Sequence, residues 1–197
     1  MFDDKAQLHT LEGVAAASIM LIVIIYAIDA TSMTPLTAST SNVHVEAELQ
    51  SMGRDIFNIL DYAEPGYRSK LKSDIVAWTW NPKEYIWSGS NYTEKGTTNV
   101  TGNLTNITEL FNATLIRQGT AHNLDFIFLY PDPDNKTYPV KIKVIFNGDP
   151  SNNAVIVSRK IVLQDSDNVN TDSTIKDIDP SSNFYNIVDI KLTLWRM

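Results

Sequence analysis

Cysteine is absent from all 197 residues, which excludes disulfides, thiolate metal sites and cysteine nucleophiles. Histidine is almost as scarce, with only His9, His44 and His122. A zinc site or a histidine-based triad would therefore have to draw on residues far apart in the chain. The chain contains no Gly-x-Ser-x-Gly elbow, His-Glu-x-x-His, phosphate loop or dinucleotide fingerprint. The expectation is that the protein is not an enzyme, although paired-carboxylate hydrolysis remains open because Asp and Glu are plentiful. Positive charge is also short: 16 Lys and Arg against 23 Asp and Glu give a net charge of -7. A chain of that sign repels nucleic acid and anionic lipid on average, so no nucleic-acid partner is expected. No internal repeat is visible, which removes solenoids and propellers. What is present is ordinary core-forming material, 43% hydrophobic and 10% aromatic, enough for one domain that holds itself together without staples.

One apolar stretch without a charge runs from Gly13 to Ile28, closed by Asp29. Read as helix, its sixteen residues rise about 24 Å, short of the roughly 30 Å hydrocarbon thickness of a bilayer. A span would have to borrow Leu11 and Ala30 at its ends. Three readings compete: a cleaved secretory signal, a plain membrane anchor, and a helix that sits in the membrane before being drawn into a filament. A secretory signal wants a basic leading region, whereas here it reads Phe2-Asp3-Asp4-Lys5.

The string Lys5-Ala6-Gln7-Leu8-His9-Thr10-Leu11-Glu12-Gly13 resembles the class III leader of archaeal type IV pilin-like proteins. There a basic and a small residue precede a Gln, and an acid follows shortly inside the helix. The longer passage from Ala6 through Thr40 looks like a pilin-like family of uncharacterised euryarchaeal proteins. The resemblance implies cleavage after Ala6, so that Lys5, Ala6 and Gln7 form the processing site. It implies a prepilin peptidase, assembly machinery and other copies of the chain as partners, with the membrane as a stage in biogenesis. Glu12 falls at position six after that cut, one later than the usual pilin glutamate. A carboxylate at the edge of an apolar segment seeks a cation, and the resemblance offers the free amine of a neighbouring subunit, with Glu12 setting subunit register. The bland alternative leaves Glu12 at a membrane–water interface. Ala15, Ala16, Ala17 and Ser18 are small enough to let helices approach closely, with Ile22 and Ile25 packing beside them.

The stretch Thr31 to Asn42 holds Pro35 and seven Ser or Thr residues, a hinge or a proline-broken helix. From residue 43 to 64 an amphipathic helix is predicted, with Val45, Leu49, Met52, Ile56, Ile59, Leu60 and Ala63 on one face, ended by Glu64-Pro65-Gly66. Strands are predicted where Leu124, Phe126, Phe128 and Tyr130 alternate, over Val140 to Phe146, over Ala154 to Leu163, and over Ile187 to Trp195. The region Tyr67 to Trp87 opens the head as a short helix with strands, or as strands alone. The expected fold class is therefore α+β: a long N-terminal hydrophobic then amphipathic helix, followed by an antiparallel β-sheet or sandwich head. The expected organisation is a leader at 1–6, an anchor or filament-core helix at 7–30, a hinge at 31–42, the amphipathic helix, and a head at 65–197.

Six Asn-x-Ser/Thr sequons begin at Asn91, Asn99, Asn103, Asn106, Asn112 and Asn135, five of them crowded between Asn91 and Thr114. They read either as N-glycosylation acceptors on an extracellular face or as a polar Asn/Thr-rich loop. N-linked glycans would be the only attached group; no cofactor is expected. Asp165, Asp167 and Asp172 make a calcium candidate, set against solvated turns. Two functions follow: a pilin-like structural subunit of a surface filament, or a non-polymerising membrane-anchored extracellular binding or pilus-accessory protein.

Overall fold

A computed structural model describes residues 13–25, 40–79, 84–95, 104–132, 134, 136–169 and 173–196. The chain divides into two compact units, Met1–Val43 and His44–Met197. In the first, helix α1 covers residues 13–25. Every described side chain on it is exposed, and Ile19 to Ile25 are each between 50 and 68% exposed. Thirteen residues rise only about 20 Å, and no helix among the described residues is long and apolar enough to cross a membrane.

That corrects the expected long hydrophobic-then-amphipathic helix. The apolar and amphipathic parts are separate elements, α1 and then α2 at Thr40–Asp61, and Pro35 lies in the undescribed stretch 26–39 between them. In α2 part of the predicted face holds: Leu49, Ile56 and Leu60 are buried and Val45 and Met52 half-buried, whereas Ala63 is exposed beyond the helix, which ends at Asp61 rather than at residue 64. Phe57 joins the buried residues, whereas Ile59 stays exposed. Gly53 explains how closely α2 approaches strand β5 (Val155–Gln164): a Cβ there would meet Val157 Cγ2 at 2.7 Å and Leu194 Cδ1 at 3.2 Å. The turn after α2 is closed by Tyr67 N–H donating to the Glu64 carbonyl at 2.9 Å, with Gly66 at φ 87°, a conformation that suits glycine.

Helix α3 (Lys70–Ala77) follows, capped by Ser69, whose Oγ accepts from Lys72 N–H at 3.1 Å. The short strands β1 (Tyr85–Trp87) and β2 (Tyr92–Glu94) form a hairpin. Helix α4 (Thr105–Phe111) runs on into a wider π turn at Asn112–Ile116. Then come β3 (Thr120–Pro131), β4 (Thr137–Phe146), β5, a short 3-10 turn at Asp165–Asp167, and β6 (Phe184–Arg196).

The strands make one six-stranded sheet in the order β2-β1-β4-β3-β6-β5. It is mixed, because β1 meets β4 in parallel, and it is the single sheet among the described residues, which corrects the expected antiparallel sheet or sandwich. The physical reason lies in what covers it. Leu49, Ile56, Phe57, Leu71, Ile75 and Phe111 from the helices join Leu124, Phe126, Phe128, Val188, Ile190 and Leu192 from the strands in one core. Helices therefore take the place a second sheet would have filled. The opposite face carries Asp125, paired with Lys141 at 2.8 Å, and Asp189, paired with Lys160 at 3.2 Å. A register shift between Leu124 and Asp125 puts an extra residue in β4, so the neighbours Val144 and Ile145 are both fully buried. The last strand, β6, lies between β3 and β5 in the interior of the sheet.

Candidate functional site

The sheet is incomplete where β1 departs from β4. Among the described residues their one ladder pair is Tyr85 with Ile145, and β4 ends at Phe146 opposite Asn123, so Thr120 to His122 of β3 run on without that neighbour. Asn147 fills the gap with its side chain. Its Nδ2 donates to the His122 carbonyl at 2.7 Å and its Oδ1 accepts from Trp87 N–H at 2.7 Å. Asn147 is itself held by Asn123, whose Oδ1 accepts from Asn147 N–H at 2.8 Å while its Nδ2 donates to the Gly148 carbonyl at 2.8 Å. A side-chain amide thus does the pairing that a strand's peptide group would otherwise do. Gly148, at φ 133°, allows the chain to turn away from the ladder.

Beside this bridge lies a cavity of about 390 Å³, walled by Ile86, Trp87, Ile116, Ala121 and Phe146. Glu84 and Lys95 form an ion pair at 3.3 Å on its rim. The buried Thr120 Oγ1, on a residue of the same wall, has no hydrogen-bond partner among the described residues. Deeper in, Tyr92 Oη and His122 Nε2 lie 2.5 Å apart, and His122 Nδ1 is 3.3 Å from the Thr120 carbonyl. Those partners assign the proton to Nδ1 and leave Nε2 to accept from the tyrosine hydroxyl. Phe111 packs edge-on against the imidazole at 5.0 Å. Burial holds His122 down to about 4 and pushes the Tyr92 hydroxyl up, so both groups are neutral at physiological pH. With its lone pair engaged by Tyr92, His122 is a buried structural base, and the cavity offers an apolar surface with a few polar atoms at its edges.

A second buried polar group organises α4. Asp74 on α3 accepts from Ile107 N–H at 2.8 Å and from Asn106 Nδ2 at 2.6 Å. It caps a helix that its own N-cap residue, Leu104, leaves without a side-chain bond. Burial raises the Asp74 pKa, and the bonds from Ile107 and Asn106 oppose that rise.

The predicted site residues fall in different places. Lys5, Ala6, Gln7 and Glu12 lie outside the described residues, as do Asn99, Asn103, Asn135 and Asp172. Ala15, Ala16, Ala17, Ser18, Ile22 and Ile25 all lie on α1 and are exposed. Ser18 Oγ donates to the Val14 carbonyl at 2.9 Å, within the helix. Of the sequons, Asn91 is exposed before β2 and Asn112 is exposed at the start of the π turn, whereas Asn106 is half-buried against Asp74. Asp165 is exposed. Asp167 is committed elsewhere: Lys72 Nζ is 2.7 Å away, Gln164 N–H donates to it at 2.7 Å, and Arg68 Nη2 donates to its backbone carbonyl at 2.6 Å. It fastens the turn after β5 to α3. The sequence reading missed Asn147, Asn123, Tyr92, His122 and Asp74; Asn147-Gly148 was legible as a turn signal, but not as a bridge between strands.

Fold and site together define a two-layer α+β domain with a mixed sheet and an apolar cleft at its split end. The chain belongs to a family described as a family of unknown function (DUF7288), whose profile matches residues 5–194. No curated protein and no solved structure matches it.

Proposed function

We propose that this protein is a structural, pilin-like subunit of a type IV-like surface filament, gathered through α1 against other copies of the chain with the sheet domain outward. The observation that carries the reading is α1 itself, apolar all round and exposed along its described length. Such a helix is stable in water only when something outside it covers every face. A bundle of copies does so, and Ala15 to Ser18 let the backbones come close. The Lys5-Ala6-Gln7 string ahead of it supports processing by a prepilin peptidase. Before assembly the helix rests at a membrane, and afterwards in the filament core. The test is the N-terminus of the native protein, read by mass spectrometry. A start at Gln7 or Leu8 supports the reading, and a retained Met1 sinks it.

A second reading, an extracellular binding module that does not polymerise, is favoured by the cleft beside Trp87 and Asn147. Cells lacking the gene, imaged by electron microscopy, separate the two. Loss of filaments supports the first, and unchanged filaments support the second.

A further inference from the structure

The sequons look equivalent in sequence, but the three described acceptors fall into two chemical situations. Asn91 lies at the end of the β1–β2 turn, where its carbonyl accepts from Ser88 N–H at 2.9 Å and from Ser88 Oγ at 2.8 Å. That turn occupies its backbone, while its side-chain amide has no partner among the described residues and is exposed. Asn112 is likewise exposed, with no side-chain partner among the described residues. Asn106 differs, since its amide nitrogen lies 2.6 Å from the Asp74 carboxylate, which is only 4% exposed.

Asn91 and Asn112, 21 positions apart in the chain, line the same cavity of about 210 Å³. Trp87 and Tyr92 form part of its wall, and Thr108 and Glu109 line it as well. Trp87 and Tyr92 face each other across the hairpin and pack edge-on at 5.2 Å. A half-buried indole beside an acceptor amide suits the C–H-rich face of a pyranose ring, and hydroxyl and carboxylate groups suit its edge.

We propose that Asn91 and Asn112 carry N-linked glycans whose first sugars share this cleft, that the Asn91-linked sugar lies on Trp87, and that Asn106 stays unmodified as part of the Asp74 cap. N-linking joins the amide nitrogen to the anomeric carbon of a sugar as its activated carrier leaves, and one amide hydrogen is lost as a proton. At Asn91 and Asn112 that hydrogen serves no bond among the described residues. At Asn106 the added ring would enter the space between α3 and α4 that the Asp74 contact closes. The inference rests on the extracellular placement of the domain proposed above.

The experiment maps glycopeptides by mass spectrometry on protein purified from its own cells, with the N-terminus read on the same sample. Sugar on Asn91 and Asn112 with a bare Asn106 is the expected result. A bare Asn91, a bare Asn112 or a modified Asn106 overturns the inference. A processed N-terminus with bare Asn91 defeats this inference alone, whereas a retained Met1 with both acceptors occupied defeats only the filament reading. Stacking is read separately, by thermal unfolding of variants made in the same cells. Asn91→Gln lowers the midpoint by about 2–4 °C in the native background, and by nothing further in a Trp87→Ala background. An equal drop in both backgrounds overturns the contact with Trp87.

Discussion

Two helices of this chain, α1 and α2, use similar residues to opposite ends. Helix α1 has no polar side chain other than Ser18 over residues 13–25 and exposes its whole apolar surface. Helix α2 interleaves Glu48, Arg54, Asp55 and Asn58 with its apolar positions and buries one stripe against the sheet. Hydrophobicity alone therefore does not decide burial; its distribution round the helix does. A one-sided stripe finds its cover on the sheet, whereas a helix apolar all round needs cover on every face.

The sharpest way to break that comparison is to remove a side chain from each helix. Phe57→Ala in α2 deletes a fully buried ring and should cost about 3–5 kcal/mol of stability, read by denaturant unfolding. The double change Ile22→Asn and Ile25→Asn in α1 should shift stability by less than about 0.5 kcal/mol and, on the filament reading proposed above, abolish self-association, read by sedimentation. If the α1 changes unfold the sheet domain, the contrast between the helices is wrong.

Acid should find the split end of the sheet before the rest of the core. The folded pKa of His122, about 4, lies below its unfolded value of 6.5. As pH falls through 6.5 the unfolded chain takes up the proton first, so stability declines and the loss is complete below about 4. That difference corresponds to roughly 3 kcal/mol, and His122→Gln should flatten this part of the stability–pH curve. Asp74 works the other way within the same domain. Its raised pKa means that the folded state binds the proton more readily than the unfolded chain. Its charged form is therefore a liability that appears as pH rises through the folded value and is absent below the unfolded one.

A smaller effect is expected at the remote cap. Asp74→Ala leaves Ile107 N–H and Asn106 Nδ2 without their acceptor and should cost about 1–2 kcal/mol. Hydrogen exchange should quicken first in α4. An unchanged exchange rate at Ile107 would show that the cap does not hold that helix.

Strands β3 to β6 were legible because their alternation has period two and their side chains are bulky and branched. The amphipathic helix was legible for the corresponding reason. Helix α4 was not, although Leu104, Ile107, Phe111 and Leu115, all buried, fall at helical spacing. The Asn and Thr residues between them carry the sequons and read as loop, and the cap that supports the helix comes from Asp74, more than thirty positions earlier. The cleft was illegible for a related reason: Asn147, His122 and Trp87 are brought together by strand order, and strand order leaves no local pattern.

By itself, then, the sequence determined that α1 would be apolar and charge-free, that no cysteine chemistry was available, and which segments would be strands, because composition and periodicity are properties of neighbouring residues. Only the tertiary structure decided that α1 and α2 are separate elements, that helices rather than a second sheet cover the strands, and that Asn106 serves a buried carboxylate while Asn91 and Asn112 share a cleft. Those outcomes depend on which distant residues meet, and such meetings are set by packing of the whole chain.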